Sequence, residues 1–411
     1  YVPAFYAAEY NDDNTLKAFY PTREGVPEKV RKCIVTNLDG AKYPVKIPVP
    51  FQEIIHDRIV LEVMRGCTRG CRFCQAGMLY RPVRERKVGT LLKLAEELCK
   101  NTGYDEVSLS SLSTGDYSCL PQLTRELNER LVPKRVSISL PSLRLDKPLS
   151  ESLEQTQKVR KSSLTFAPEA GSQRLRDVIN KGVTEEDLKR TAHDAFSGGW
   201  NAVKLYFMIG LPTETEDDLR GIMETARLVV SEYFAVPKDV RARGLRVTVS
   251  VSSFVPKPFT PFQWEPQDTI GMIEQKQAFL RDVLRPLKSV DFRWHEPHVS
   301  FLEACFARGD RRMADVLYEA WKRGCNFDSW SEQFKFDAWM DAFAACSVDP
   351  AFYANRRRSF DELLPWAFID AGVTQQFLQK EMERAARAET TPDCRQGCRG
   401  CGLMEVCKQC E

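Results

Sequence analysis

Three thiols stand in one short run, Arg65-Gly66-Cys67-Thr68-Arg69-Gly70-Cys71-Arg72-Phe73-Cys74, at the spacing C-x3-C-x2-C. Three thiolates fill three of the four irons of a [4Fe–4S] cluster and leave one iron open to a reacting ligand. Gly66 and Gly70 permit the tight backbone that wraps such a cluster. The rival reading is a zinc knuckle short of one ligand, but only 4 His occur in the chain and none adjoins the loop. A second group comprises Cys394, Cys398, Cys401, Cys407 and Cys410, five thiols in 17 residues. Its C-x2-C pairs suit a second [4Fe–4S] cluster or a tetrahedral zinc site using four of the five. A tail of free thiols is the third reading. Clustered cysteines with no secretory signal point to metal ligation in a reducing compartment, hence the cytoplasm. The other six of the 14 cysteines (Cys33, Cys99, Cys119, Cys305, Cys325 and Cys346) are expected as buried apolar side chains.

The elements that position the first thiols follow from hydrophobic period. Residues 59–64 read as a short apolar strand that runs directly into the loop. Helix and strand then alternate: helix 90–101, strand 106–111, helix 121–131, strand 135–140, strand 163–167, helix 172–180, helix 184–198, strand 201–209, helix 214–234 and strand 246–254. Thr184 with Asp187 forms a plausible helix N-cap. Six such units argue for a parallel sheet or barrel. Upstream, 32–37 and 42–47 flank Asp39-Gly40, the signature of a tight hairpin. After Pro266 strand signals fade, and 272–284, 313–323, 331–347 and 374–389 read as helices. Boundaries are therefore expected near 58, 266 and 393. This gives an N-terminal extension (1–58), a β/α region (59–265), a helical domain (266–392) and a Cys-rich metal-binding tail (393–411).

Composition frames these readings. The chain has 411 residues, 43% hydrophobic and 28% charged, which excludes a disordered chain or a small disulfide scaffold. Lys plus Arg number 59 and Asp plus Glu 57, so whole-chain charge does not call for nucleic acid. No apolar run approaches the roughly 20 residues of a membrane span, so no membrane partner is expected. The first residue is Tyr rather than Met, and the chain is expected to continue upstream.

The Cys spacing after the first strand of a β/α series resembles the radical S-adenosylmethionine (SAM) superfamily. The resemblance covers about 59–265 and implies a partial (β/α)6 TIM-like barrel. It implies that the open iron binds the amino and carboxylate groups of SAM, and that one electron cleaves the sulfonium to a 5′-deoxyadenosyl radical. Phe73 then packs near the adenine. Ser113-Thr114-Gly115-Asp116 stands where the superfamily contacts the SAM amino group, with Asp116 as the carboxylate. Ser139 faces the ribose. Arg144, after the third strand, suits a carboxylate or phosphate. In the run Phe166–Arg176, similar to methylthiotransferases, Glu169 is the candidate for the ribose hydroxyls. Ser172 caps a helix there, and Arg174 or Arg176 holds the SAM carboxylate. Gly210, in Ile-Gly-Leu-Pro-Thr-Glu, admits the adenine to the backbone, and Val255 offers backbone contacts to it. The segments PSLR, TFAPEAGS, GLPTE and PDCRQGCRGCG resemble a radical SAM family linked to a cobalamin-binding-like domain. Cobalamin is therefore expected only through such a domain upstream of residue 1.

Two basic knots, Arg308/Arg311/Arg312 and Arg356/Arg357/Arg358, lie among Trp321, Trp330, Trp339, Tyr353 and Trp366. They read either as an RNA-binding face or as a solvated surface over an aromatic core. The expectation is an enzyme modifying a macromolecule, RNA before protein, by methyl or methylthio transfer with a flavodoxin- or ferredoxin-like reductant. The alternatives are a radical SAM enzyme on a small metabolite and a non-enzymatic iron–sulfur or zinc scaffold.

Overall fold

Short runs of alternating apolar residues build parallel strands whose C-terminal ends carry the loops of interest. The computed structural model describes residues 1–52, 54–140 and 164–407. Strands β1 (Ile59–Glu62), β2 (Glu106–Ser110) and β3 (Ser137–Ser139) form one parallel sheet. Strands β4 (Leu164–Glu169), β5 (Ala202–Ile209), β6 (Arg246–Ser253) and β7 (Val290–Trp294) form a second, also parallel. Inward residues alternate as the period of two requires: Val203, Leu205, Phe207 and Ile209 on β5, Val247, Val249 and Val251 on β6.

Helices cover the sheets. Helix α1 (Val88–Thr102) buries Leu91, Leu92, Ala95 and Leu98 and stops at Gly103, whose φ is +74°. Helix α2 (Leu120–Leu131) packs on the same core. Ser172 caps α3 (Gln173–Val178), as expected. The Thr184–Asp187 pair forms a full capping box on α4 (Glu185–Ser197), and Thr215–Asp218 forms another on α5 (Glu216–Ala235). Thr269 caps α6 (Ile270–Leu284).

Two expectations fail for physical reasons. The sheet does not end at Pro266, because β7 pairs with β6 over Val247–Val251. Its sequence, Val-Asp-Phe-Arg-Trp, is that of an exposed edge strand, guarded by charge and lacking a buried apolar stripe. The hairpin around Asp39-Gly40 does not form. Its side chains are used in tertiary contacts instead: Leu38 is buried, and Tyr43, Val45 and Ile47 pack against the β1–β3 core. The N-terminal hairpin pairs Tyr6–Tyr10 with Leu16–Pro21. Beyond β7 the chain is mainly helical, with helices Pro297–Ala307, Met313–Lys322, Phe336–Ala345, Pro350–Ala354 and Gln375–Ala386. Among the described residues no helix is long and apolar enough to cross a membrane.

Candidate functional site

The first thiols sit on the loop that leaves β1. Gly66 has φ +93°, and a Cβ there would lie 2.6 Å from the Tyr80 carbonyl oxygen, so no other residue fits. Gly70 has φ +73°. Cys74 caps the short helix Gln75–Leu79, and its Sγ accepts the Gly77 N–H at 3.3 Å. Burial pushes the Cys74 thiol up, and the neighbouring Cys71 adds to this. A bound metal reverses such a shift by holding the thiolate.

Arg72, between two of the thiols, has a wholly buried side chain. Its Nε donates to Glu381 at 3.1 Å, and its Nη atoms donate to the carbonyls of Asp177, Val178 and Glu389. Asn180 donates to the carbonyls of Arg69, Gly70 and Thr391. The loop is thereby fastened to the end of α3 and to the chain that follows helix Gln375–Ala386. Arg72 and Asn180 were not singled out from sequence, because partners so far away along the chain leave no local pattern.

The C-terminal thiols come to the same place. Cys67 and Thr68 line one cavity with Cys394, Cys398, Cys401 and Cys407. Cys410 lies outside the described residues. The Cys394 N–H donates to the Thr68 carbonyl at 3.2 Å, and the Thr68 hydroxyl donates to Asp393 at 2.7 Å. Among the described residues no three His, Cys, Asp or Glu side chains converge to hold a single metal ion. The donor set is nonetheless sulfur only, and Gly400 N–H points at Cys398 Sγ at 3.4 Å. Thiol-only donors with backbone N–H groups aimed at sulfur fit iron–sulfur ligation.

The expected SAM contacts divide. Phe73 packs against the apolar cluster that includes Ala170, Leu175, Leu211 and Phe254. Ser113 and Thr114 are buried in a turn, Thr114–Asp116, that also contains Gly115. Asp116 is buried and accepts from Ser113 at 2.7 Å, from Arg69 Nε at 2.8 Å and from Arg395 at 3.2 Å. These bonds tie the turn to the first thiol loop and to the tail. Ser139 is half-buried on β3. Arg144 lies outside the described residues.

Glu169 ends β4 at a bulge, where Phe166 and Glu169 oppose Leu205 and Phe207. Its φ of +68° is a strained backbone for a side-chain-bearing residue, the kind that accumulates at functional sites. It faces Lys181 at 3.0 Å. Ser172 donates to Asp218, and Arg174 binds Asp218 and the Thr213 carbonyl. Arg176 is buried and donates to the carbonyls of Ala170 and Gly171. Both arginines brace the loop, a use sequence could not separate from carboxylate binding. Gly210 has φ +79°, and its N–H donates to Glu214 at 2.9 Å. Burial pushes Glu214 up, against the pull of Lys276 at 2.6 Å. The Val255 side chain packs into the helical region beyond β7.

The two basic knots are not an open patch. Arg308 is fully buried and donates to the carbonyls of Ala354 and Arg356. Arg311 binds the Tyr6 carbonyl, Arg312 pairs with Asp310, and Arg356 pairs with Glu362. Arg357 pairs with Glu265, and buried Arg358 donates to the Arg308 carbonyl. Arg308 and Arg358 are buried, whereas Arg311 and Arg357 stay exposed although each has a protein partner.

Residues 61–226 match the radical SAM superfamily. The chain is 33% identical over 290 residues to uncharacterized protein MJ0966 of Methanocaldococcus jannaschii, covering 71% of this chain and 61% of that one. It is 26% identical over 171 residues to the ribosomal protein uS12 methylthiotransferase RimO of Caldanaerobacter subterraneus subsp. tengcongensis, covering 39% and 38%. Among solved structures, the radical SAM methyltransferase TsrM from Kitasatospora setae, with cobalamin and a [4Fe–4S] cluster bound, aligns at 14% identity with a TM-score of 0.38. That alignment covers 50% of this chain and 38% of TsrM. The chain spans less than two thirds of the length of these relatives.

Proposed function

We propose that this chain, whose residues 61–226 are a radical SAM domain, is the catalytic part of an enzyme that transfers a methyl or methylthio group to a macromolecule. The observation that carries the reading is the three-thiol loop at the C-terminal end of β1, inside the matched residues. β/α folds carry their sites at that end of the strands. A [4Fe–4S] cluster on Cys67, Cys71 and Cys74 supplies, when bound, an open iron for SAM and the electron that splits its sulfonium.

The chain's own residues do the rest. Gly66 and Gly70 set the backbone of the loop, and Arg72 and Asn180 keep it from moving. Phe73 and its apolar neighbours exclude water from one side. Glu169, held by Lys181 at 3.0 Å, is the carboxylate best aimed at ribose hydroxyls. The positive φ of Gly210 sets the turn at the end of β5, where the Asp268 carboxylate fills the space a Cβ would take. β1–β6 with their helices are read as the partial (β/α)6 barrel, and β7 extends it. The RimO likeness supports a macromolecular substrate. RNA is the substrate class favoured over protein, although most arginines of the two basic knots are tied to protein partners. The reductant is a flavodoxin- or ferredoxin-like donor, and the compartment is the cytoplasm.

Anaerobically purified protein given SAM and dithionite is expected to release 5′-deoxyadenosine or S-adenosylhomocysteine, read by chromatography. Cys71→Ala abolishes both. Iron-loaded protein that releases neither product refutes the reading.

A further inference from the structure

We propose that a cavity beside the C-terminal helix is a nucleotide site, with Gln263, Asp361 and Phe360 placed to read and stack a guanine base. The site goes beyond the transfer reaction proposed above, and neither depends on the other.

The cavity measures about 610 Å³, a volume typical of small-molecule sites. Phe259 and Gln263, after β6, form one wall. The segment from Phe360 to Gln375, which leads into helix Gln375–Ala386, forms the other. The Gln375 amide donates to the Phe360 carbonyl at 3.1 Å and draws the ends of that segment together. Among the described residues, the wall includes none of the thiol loop 65–74, so the ligand is held there and not converted.

Polar groups in this wall are left without partners. Gln263 is 4% exposed, yet its oxygen alone is engaged. Its Oε1 accepts the Phe259 N–H at 3.0 Å and Trp366 Nε1 at 2.8 Å, which fixes the orientation of the amide. Its NH2 group has no acceptor among the described residues. A buried donor left unpaired is costly, and a ligand acceptor in the cavity removes that cost. The Asp361 carboxylate and the Lys29 ammonium also line the cavity without a partner among the described residues. Glu362, by contrast, is neutralised by Arg356 at 2.7 and 2.8 Å.

The aromatic residues supply a platform. Phe360 is 38% exposed, and Trp264 holds its ring edge-on with the centroids 4.8 Å apart. A fixed, open ring is a surface on which a base stacks. Phe259 has φ +62°, a strained backbone for a bulky residue and of the kind found at ligand clamps.

The free polar groups choose the base. A carboxylate accepts two hydrogen bonds side by side, and an amide NH2 donates to a carbonyl. Guanine alone among the four bases sets two adjacent N–H donors beside a ring carbonyl. Asp361 suits those donors, Gln263 suits the carbonyl, and Lys29 at the rim suits a phosphate.

The test is equilibrium dialysis of the full chain against the 5′-monophosphates of guanosine, adenosine, uridine and cytidine. The guanosine nucleotide is expected to bind with a Kd below about 1 mM, and the others about tenfold or more weakly. Asp361→Asn and Phe360→Ala, both at exposed positions, are expected to weaken it about tenfold, with circular dichroism unchanged. Equal binding of the four nucleotides, or full affinity in Asp361→Asn, overturns the proposal. Bulk tRNA added to the dialysis identifies the source. Displacement of the guanosine nucleotide supports a site for a base of RNA, and its retention supports a site for the free nucleotide. Release of 5′-deoxyadenosine by the same preparation reads the transfer reaction separately.

Discussion

At the scale of single residues, the loop depends on side chains that are not ligands. Arg72 is buried with five donor contacts, so removing its charge takes a donor from three carbonyls and from Glu381, which keeps Arg384 and Thr391. Arg72→Met is expected to cost about 3 kcal/mol or more in urea unfolding of the metal-free protein. It is also expected to lower iron retention on reconstitution. A change below about 1 kcal/mol would show that Arg384, 2.9 Å from Glu381, takes over its role. Asp218 gives a pH-dependent case. Burial opposes its charge, but hydrogen bonds from Arg174, Ser172 and Thr215 outweigh it and hold the carboxyl below 3.8. A depressed carboxyl adds stability above its unfolded value and loses it as pH falls through the folded one. Asp218→Asn should therefore cost about 1.5–3 kcal/mol at pH 7, with the gap closing as pH drops below 3.8. Urea midpoints across pH read both.

At the scale of elements, local pattern was legible where one element buries one face. The strands from β1 to β6 and helices α4 and α5 follow from period, and the α4 cap from Thr184 and Asp187. What failed was whatever depended on distant partners. β7 lacks an apolar stripe because it is an edge, and the segment around Asp39-Gly40 satisfies its apolar residues on the β1–β3 core. The two cysteine clusters were legible because each is compact in sequence. The bracing roles of Arg174, Arg176 and Asp116 were not, because a buried arginine and a ligand-binding one are spelled alike. One element contact is testable by itself. Gly171, after β4, faces Gly221 of α5, and a Cβ on Gly171 would lie 2.3 Å from the Asp218 carbonyl oxygen. That gap is backbone against backbone and does not yield by a rotamer change. Gly171→Ala should push α5 off β4 and cost about 3 kcal/mol, at the upper end for overpacking. A thermal midpoint equal to wild type would show that the helix slides at no cost.

At the scale of the whole molecule, arginines join segments that sequence had set apart as domains. Arg72 ties the first thiol loop to the C-terminal helix, Arg395 ties the tail to the turn after β2, and Arg311 and Arg312 tie the N-terminal hairpin to the helical region. Arg312 makes the sharpest case. Its guanidinium pairs with Asp310 at 2.6 Å, donates to the Asn14 carbonyl at 2.9 Å, and stacks 4.0 Å from the Tyr10 ring centroid. Asp310 also accepts from Tyr353 at 2.9 Å, so one carboxylate organises both sides of the contact. If these arginines formed an RNA face, their removal would weaken RNA binding and leave the fold alone. As internal ties, they should act the other way. Arg312→Ala is expected to raise hydrogen exchange in residues 6–21 by about tenfold, equivalent to about 1.4 kcal/mol of local opening. Amides of β5 and β6 should keep their protection, because their core does not include the hairpin. Unchanged exchange in the hairpin, with loss of binding to bulk RNA, would restore the patch reading.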